Sequence, residues 1–439
     1  MLSARYLIRL IAAFVLRFRG IIVLSLILGA GIFFVLTTFG VPFFQRTHKR
    51  VGITGRFRPD NLPPSILEMI SDGLSSIDDS GLVVPSVASS WETPDKGKTW
   101  RFTLSERSWQ DGDRLDSGDI NFEFSDVTIE RPDEKTIVFK LQNPFSPMPS
   151  VVSKPIFKQG LLGVGDWSVK NITLSGTYVS KLEIKDSQGN RITYKFYPTE
   201  ERAKLAFKLG EVDRLEGLYS PSPFENWKIA RVTEQVDPHK SAVIFLNTQD
   251  KFLSEKNLRQ ALYYAVDKDE FGGPRSLSPI SPNSWAFNPQ VKQYNFDQKR
   301  ARELTEDMPD EVRDSLSLKL VTPPLLLAQA EKVAGYWKDA GVDTIVQVSS
   351  GIPSEYQALL AIYDIPQDPD QYSLWHSTQE GTNISRLKNP RIDALLEEGR
   401  SELSLEDRKE IYLDFQRFLL EEAPAIFLFH PATYTIERV

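Results

Sequence analysis

The chain has 439 residues, 41% hydrophobic and 25% charged, with 25 Gly and 28 Pro. This excludes a disordered, collagen-like or many-span membrane protein and allows about three domains of ~150 residues. It has no cysteine, hence no disulfide framework, thiol nucleophile or lipid-modified cysteine. The net charge of −7 is uneven, since residues 1–50 hold seven basic residues and no acid, which leaves −14 on the rest. So acidic a body argues against nucleic acid or an anionic membrane surface as the main partner and suits amine-bearing ligands.

In chain order, residues 1–20 form a basic segment. Wound at ~100° per residue, Arg5, Arg9, Arg17 and Arg19 share one arc, which fits an interfacial helix as well as a signal n-region. Residues 21–41 carry no charge and at ~1.5 Å per residue are long enough to cross a ~30 Å hydrocarbon core. With no small-x-small cleavage site after it, this run predicts an uncleaved transmembrane signal anchor. Period-two patterns predict strands at 99–104, 136–141, 192–197, 242–246, 316–321 and 426–429. Helices follow: one capped by Ser254 with Leu258, Ala261, Leu262, Ala265 and Val266 on its inner face; one over 326–340 stopped by Gly341; and one begun by Ser404. This last has Asp407 in capping-box position, buries Ile411, Phe415, Phe418 and Leu419, and ends at Pro424. The first half reads as strand-rich and the second as α/β.

Motifs for catalysis are missing from the sequence. It has no Gly-x-Ser-x-Gly elbow, phosphate-binding Gly-Lys-Ser/Thr loop or His-Glu-x-x-His, and its four histidines are far apart. Gly163-Val164-Gly165 reads as a turn rather than a dinucleotide fingerprint. The acids Asp111, Asp113, Asp116 and Asp119 approach calcium-loop spacing but lack its glycine and twelfth-position Glu, and are read as structural. A second cluster holds Asp364, Asp368 and Asp370 on a Pro-stiffened loop, flanked by Tyr372 and Trp375. It suits either an amine clamp or a solvated turn, and the pattern leaves both open.

Several segments in order resemble one family. They are Asp72-Gly73-Leu74, the run from Val84 to Glu92, Gly97 to Leu104, Trp109-Gln110-Asp111-Gly112 and Ser117 to Phe122. Further on come Phe245-Leu246-Asn247-Thr248 with Leu258 to Lys268, Asp368-Pro369-Asp370, Asn389 to Leu396, and Glu422 to Ile426. Together they resemble the oligopeptide/dipeptide-type extracellular solute-binding proteins of ABC importers, over nearly all of 51–439. The resemblance implies an α/β, two-lobed periplasmic-binding fold of discontinuous domains behind the N-terminal transmembrane helix. Lobe one would take 51–250, with a shortened subdomain near 66–163, completed by 424–439; lobe two would take 251–423. Hinge crossings are expected at 245–251 and near Pro424.

The implied function is non-enzymatic. A monomer, anchored by one helix with its body outside the cytoplasm, would bind a peptide or peptide-like solute and present it to an ABC permease, without a cofactor, metal or nucleic acid. Ligand contacts are expected from Asp368, then Asp364 and Asp370, with Tyr372, Trp375 and Trp285. Only 125–134 separate Phe124 from Lys135, where the family usually has a few tens of helical residues. That shortening motivates an alternative, a binding-deficient scaffold or sensor on the same fold. A metal-dependent hydrolase using the three aspartates finds no nearby histidine except His376.

Overall fold

The computed structural model describes residues 16–21, 24, 25, 27–31, 33 and 47–439. The expected anchor over 21–41 lies largely outside the described residues; its described members are helical. Among the described residues no helix is long and apolar enough to cross a membrane.

Two sheets organise the body. A seven-stranded sheet runs in the order Ala230–Val236, Ala432–Arg438, Arg214–Leu218, His48–Thr54, Arg191–Tyr197, Tyr178–Lys185 and Ser168–Ser175. His48–Thr54 is parallel to both of its neighbours, and the other pairings are antiparallel. A five-stranded sheet has the order Asp343–Val348, Ser317–Thr322, Ala358–Asp364, Lys240–Leu246 and Ala425–Phe429. Helices Lys256–Ala265, Leu327–Asp339, Pro390–Ser401 and Leu405–Glu422 contribute to the large core built on this second sheet. A four-stranded antiparallel sheet, Ala88–Glu92, Thr99–Leu104, Thr136–Lys140 and Thr128–Asp133, forms the subdomain on lobe one.

Local patterns account for these elements. In Thr99–Leu104 the side chains of Trp100, Phe102 and Leu104 are buried while Arg101 and Thr103 are exposed, so one face packs on a core. Lys240–Leu246 is buried from Ser241 onward because it lies inside its sheet, paired on both edges. The helix expected from Ser254 starts one residue later: Glu255 is its N-cap, and the Ser254 hydroxyl donates to the Lys251 carbonyl instead. Ser404 caps as expected, its Oγ accepting from the Asp407 amide at 3.4 Å. That helix ends at Ala423 in the left-handed region, just before Pro424. The short 125–134 segment carries a strand, Thr128–Asp133, paired back onto Thr136–Lys140.

The lobe boundaries differ from the expected ones. Lys240–Leu246 and Ala425–Phe429 belong to the second sheet, not the first. The chain therefore changes lobe at 237–239 and at His430-Pro431, rather than at 245–251 and near Pro424. Every strand of the second sheet lies within 240–429, and Ala432–Arg438 returns to the first sheet.

Candidate functional site

The two crossings run side by side. Ala230–Val236 pairs antiparallel with Ala432–Arg438 in the first sheet, and their continuations Lys240–Leu246 and Ala425–Phe429 pair antiparallel in the second. Between them the Asp237 amide donates to the Pro431 carbonyl at 3.3 Å, and Asp237 Oδ1 accepts from the His239 amide at 2.9 Å. His430 Nδ1 lies 2.7 Å from the Lys240 carbonyl. Burial pushes the His430 imidazole below its ordinary pKa, against the Lys240 carbonyl and Asp237, which favour the charged form.

A cavity of about 660 Å³ opens against the first crossing. Lobe one contributes Asp78, Asp79 and Gly81 from the turn joining Ser75–Ile77 to Val83–Pro85; Asp237 and His239 form the floor; Ser284 and Gln367 come from lobe two. The turn is rigid, because Asp78 Oδ1 accepts from the Ser80 amide, the Ser80 hydroxyl and the Leu82 amide at 2.6–3.0 Å. Those bonds, the Ser80 hydroxyl first, hold the Asp78 carboxyl below its usual range. Among the described residues, His239 Nδ1, sealed from solvent, has no hydrogen-bond partner. Trp285, expected at the ligand, adjoins this site: its amide donates to the Ser80 carbonyl of lobe one at 3.0 Å.

The acid cluster divides. Asp368 is bidentate to Arg408, at 2.6 and 3.2 Å, with both side chains almost wholly buried. Asp370 pairs with Arg400 at 3.0 Å and accepts from the Tyr372 amide. Burial raises the Asp370 pKa and Arg400 opposes the rise. Both carboxylates are thus neutralised inside lobe two. Asp364 is exposed at the end of Ala358–Asp364 and makes no ion pair among the described residues. Next to it the Ile365 amide donates to the His239 carbonyl at 2.7 Å, which ties the loop to the crossing. Of the three expected acids, Asp364 is thus the one that no arginine among the described residues neutralises.

The aromatics divide as well. Trp375 is 1% exposed and packs against Phe245 and Phe427 in the core of lobe two, not on the cleft. Tyr372 is sandwiched between His376, at 4.0 Å between ring centroids, and the Arg400 guanidinium at 4.1 Å. It borders a second interlobe cavity, of about 640 Å³, with Phe124, Phe145 and Met148 of the subdomain. There the lobes touch, the Ser146 amide donating to the Arg400 carbonyl at 2.7 Å.

The other acidic motif serves the subdomain. Asp111 and Asp113 pair with Lys158, Asp116 accepts from the Gly118 amide, and Asp119 accepts from Trp109 Nε1. Sequence reasoning missed Asp78, Asp79, Asp237 and His239. Asp78-Asp79-Ser80-Gly81 and Asp237-Pro238-His239 carry turn signals, and nothing in either run shows that the two turns face one cavity.

Comparison with known proteins gives a consistent picture. Residues 83–382 match the family model described as bacterial extracellular solute-binding proteins, family 5 Middle. The dipeptide-binding protein of Escherichia coli K12 is 21% identical, covering 80% of this chain and 82% of its own. NikZ from Campylobacter jejuni in complex with Ni(L-His) superimposes with TM-score 0.74 at 20% identity, over 89% of this chain and 94% of its own. The oligopeptide-binding protein AppA from Bacillus subtilis in complex with a nonapeptide gives TM-score 0.69 at 17% identity, over 90% and 95%. These likenesses share the two-lobed α/β fold.

Proposed function

We propose that this chain, which belongs to the bacterial extracellular solute-binding proteins of family 5, is the substrate-binding protein of an ABC importer. It captures short peptides between its lobes and presents them to the permease, and it carries out no reaction. The observation that carries this reading is the pair of adjacent crossings at 237–239 and His430-Pro431, set against a cavity with walls from both lobes. Two short strand-to-strand connections concentrate dihedral change at element ends, which is what hinge closure requires. The similar dipeptide-binding protein and the nonapeptide complex support peptides as the ligand class.

Within the cleft, Asp364 holds the peptide ammonium and Trp285 covers the ligand from lobe two. Asp364 is chosen because its charge is not already spent on an arginine, and a charge-assisted bond needs a free carboxylate. Residues 21–41 hold the protein at the membrane with its body on the extracytoplasmic side.

Mass spectrometry of small molecules released from the purified full chain tests the reading. Peptides are expected; a bound solute of another class, or an empty protein to which a short-peptide library adds nothing, would refute it.

A further inference from the structure

The first sheet has two different ends. Ala230–Val236 leads into the 237–239 crossing, so the hinge lies at the end that holds Val236, Leu218 and Thr54. At the other end the register brings together His48, Arg191, Lys185, Arg214, Arg438 and Ala230. The chain enters the sheet there and is fastened: the Thr47 amide donates to Asn190 Oδ1 at 3.1 Å, and the Arg191 amide to the Thr47 carbonyl at 2.9 Å. From Val41, where the apolar run ends, to Thr47 is six residue steps, at most about 22 Å of chain. With 21–41 in the bilayer, this end of the sheet lies no farther than that from the lipid surface.

The surface at this end differs from the acidic remainder of the body. Leu205 and Leu209, one turn apart on the helix Glu200–Lys208 and its C-cap, are 54% and 67% exposed, and Ile229, just before Ala230–Val236, is 50% exposed. The Val439 amide donates to the Ile229 carbonyl at 3.1 Å and the Arg438 amide to the Asp213 carbonyl at 2.9 Å, so the loops that carry Leu209 and Ile229 flank one strand end. Lys208 and Lys228 immediately precede two of these apolar residues; with Lys49 they are exposed and form no ion pair among the described residues. The neighbouring acids are engaged, Asp213 by Arg50 at 2.5 and 2.8 Å and Asp186 by Asn190.

Exposed apolar side chains set beside unpaired lysines match the boundary of a bilayer, where the apolar groups enter and the ammonium groups stay at the phosphates. We infer that lobe one stands on the lipid surface through this end, with Leu205, Leu209 and Ile229 at the headgroup boundary. The hinge is then held about 24 Å away, the length of the seven residues of Ala230–Val236, and lobe two moves on the outer side while lobe one stays in place. A contact this small suffices because the tether keeps it at high local concentration. This rests on the reading of 21–41 as the membrane anchor and supplies the orientation that reading leaves open.

The test uses single cysteines in a chain that has none of its own. Gln188 and Thr177 are exposed in the turns at the two ends of Tyr178–Lys185, whose eight residues separate them by about 27 Å. The full chain with Gln188→Cys or Thr177→Cys is labelled with a fluorophore and reconstituted in vesicles of phosphatidylcholine and phosphatidylglycerol that carry a headgroup nitroxide quencher. Quenching should be at least about threefold stronger at 188 than at 177. Adding Leu209→Ser and Ile229→Ser, both at exposed positions, should cut that excess by about half or more and leave the thermal midpoint unchanged. Flotation of the same samples reads the anchor separately. Equal quenching at the two sites in a chain that floats overturns the inference and leaves the anchor standing. An excess at 188 that survives both serine substitutions belongs to the tether alone and overturns the lipid contact. A chain that does not float with the vesicles refutes the anchor, and the inference falls with it.

Discussion

The amide of Asp237 donates to the carbonyl of Pro431 at 3.3 Å, so the two segments that pass between the lobes are hydrogen-bonded to each other. A hinge at these crossings would bend as one ribbon, because neither rotates without straining that bond. Replacing Pro431 by Gly frees the backbone dihedral that proline fixes. The unliganded full chain with Pro431→Gly should therefore sample wider lobe separations, seen as a larger radius in small-angle scattering. An unchanged radius would place the bending elsewhere.

Asp368 and Arg408 form the deepest ion pair of the candidate cluster. Arg408→Met leaves the Asp368 carboxylate buried and unpaired, a defect of about 3–5 kcal/mol. Urea denaturation should show an unfolding free energy lowered by about that amount. A loss below about 1 kcal/mol would mean that Asp368 is solvated and available to ligand after all.

Asp364→Asn should behave in the opposite way. An exposed, unpaired carboxylate contributes within about 0.5 kcal/mol to stability. If it holds the peptide ammonium, its loss should weaken peptide binding by ~30-fold. Binding equal to wild type in calorimetry would remove Asp364 from the site.

Stability should rise with pH on both sides of neutrality. Lys268 is buried, with Nζ donating to the carbonyls of Tyr263 and Val266 at 3.0 and 2.7 Å, and burial pushes its pKa down to about 7. An unfolded lysine keeps its proton up to about 10.4. Between about 7 and 10.4 the unfolded chain thus binds more protons, and folding is favoured by raising pH. On the acid side, the lowered pKa of His430 gives stability that is present above about 6.5 and lost as pH falls through the folded value. Urea midpoints between pH 7.5 and 9.5 should climb in wild type and climb less in Lys268→Met; equal slopes would contradict the burial argument.

Much of the fold was legible because it depends on local burial. The alternation Trp100, Phe102, Leu104 and the stripe Leu258, Ala261, Leu262 each specify an element by themselves. Gly73, in a motif that carried the family resemblance, is explained by packing: a Cβ there would stand 2.2 Å from the Ser153 carbonyl. The lobe boundary was not legible. The apolar run of Lys240–Leu246 suits a buried strand in either sheet, and only its partners Ala358–Asp364 and Ala425–Phe429 decide which. The pairing of the acid cluster was illegible for a related reason. The arginines that neutralise Asp368 and Asp370 lie on two later helices, Arg408 and Arg400, so a loop that reads as three free acids holds one.

On the proposed function, ligand enters a cleft that must open between the lobes. Because the chain contains no cysteine, one engineered pair can form only its own disulfide. A Cβ built on Gly81 of lobe one lies 3.6 Å from the Cα of Ser284 of lobe two, within reach of a disulfide; the left-handed φ of +79° at Gly81 strains a cysteine there by about 1–3 kcal/mol, a cost that the reduced variant carries equally. The measurement is stopped-flow association of a fluorescent short-peptide library with the Gly81→Cys, Ser284→Cys chain, oxidised and then reduced. Opening by hinge motion predicts that oxidation slows association by about 100-fold or more and that reductant restores it. Equal rates in the two states, with the disulfide verified by mass, would contradict it.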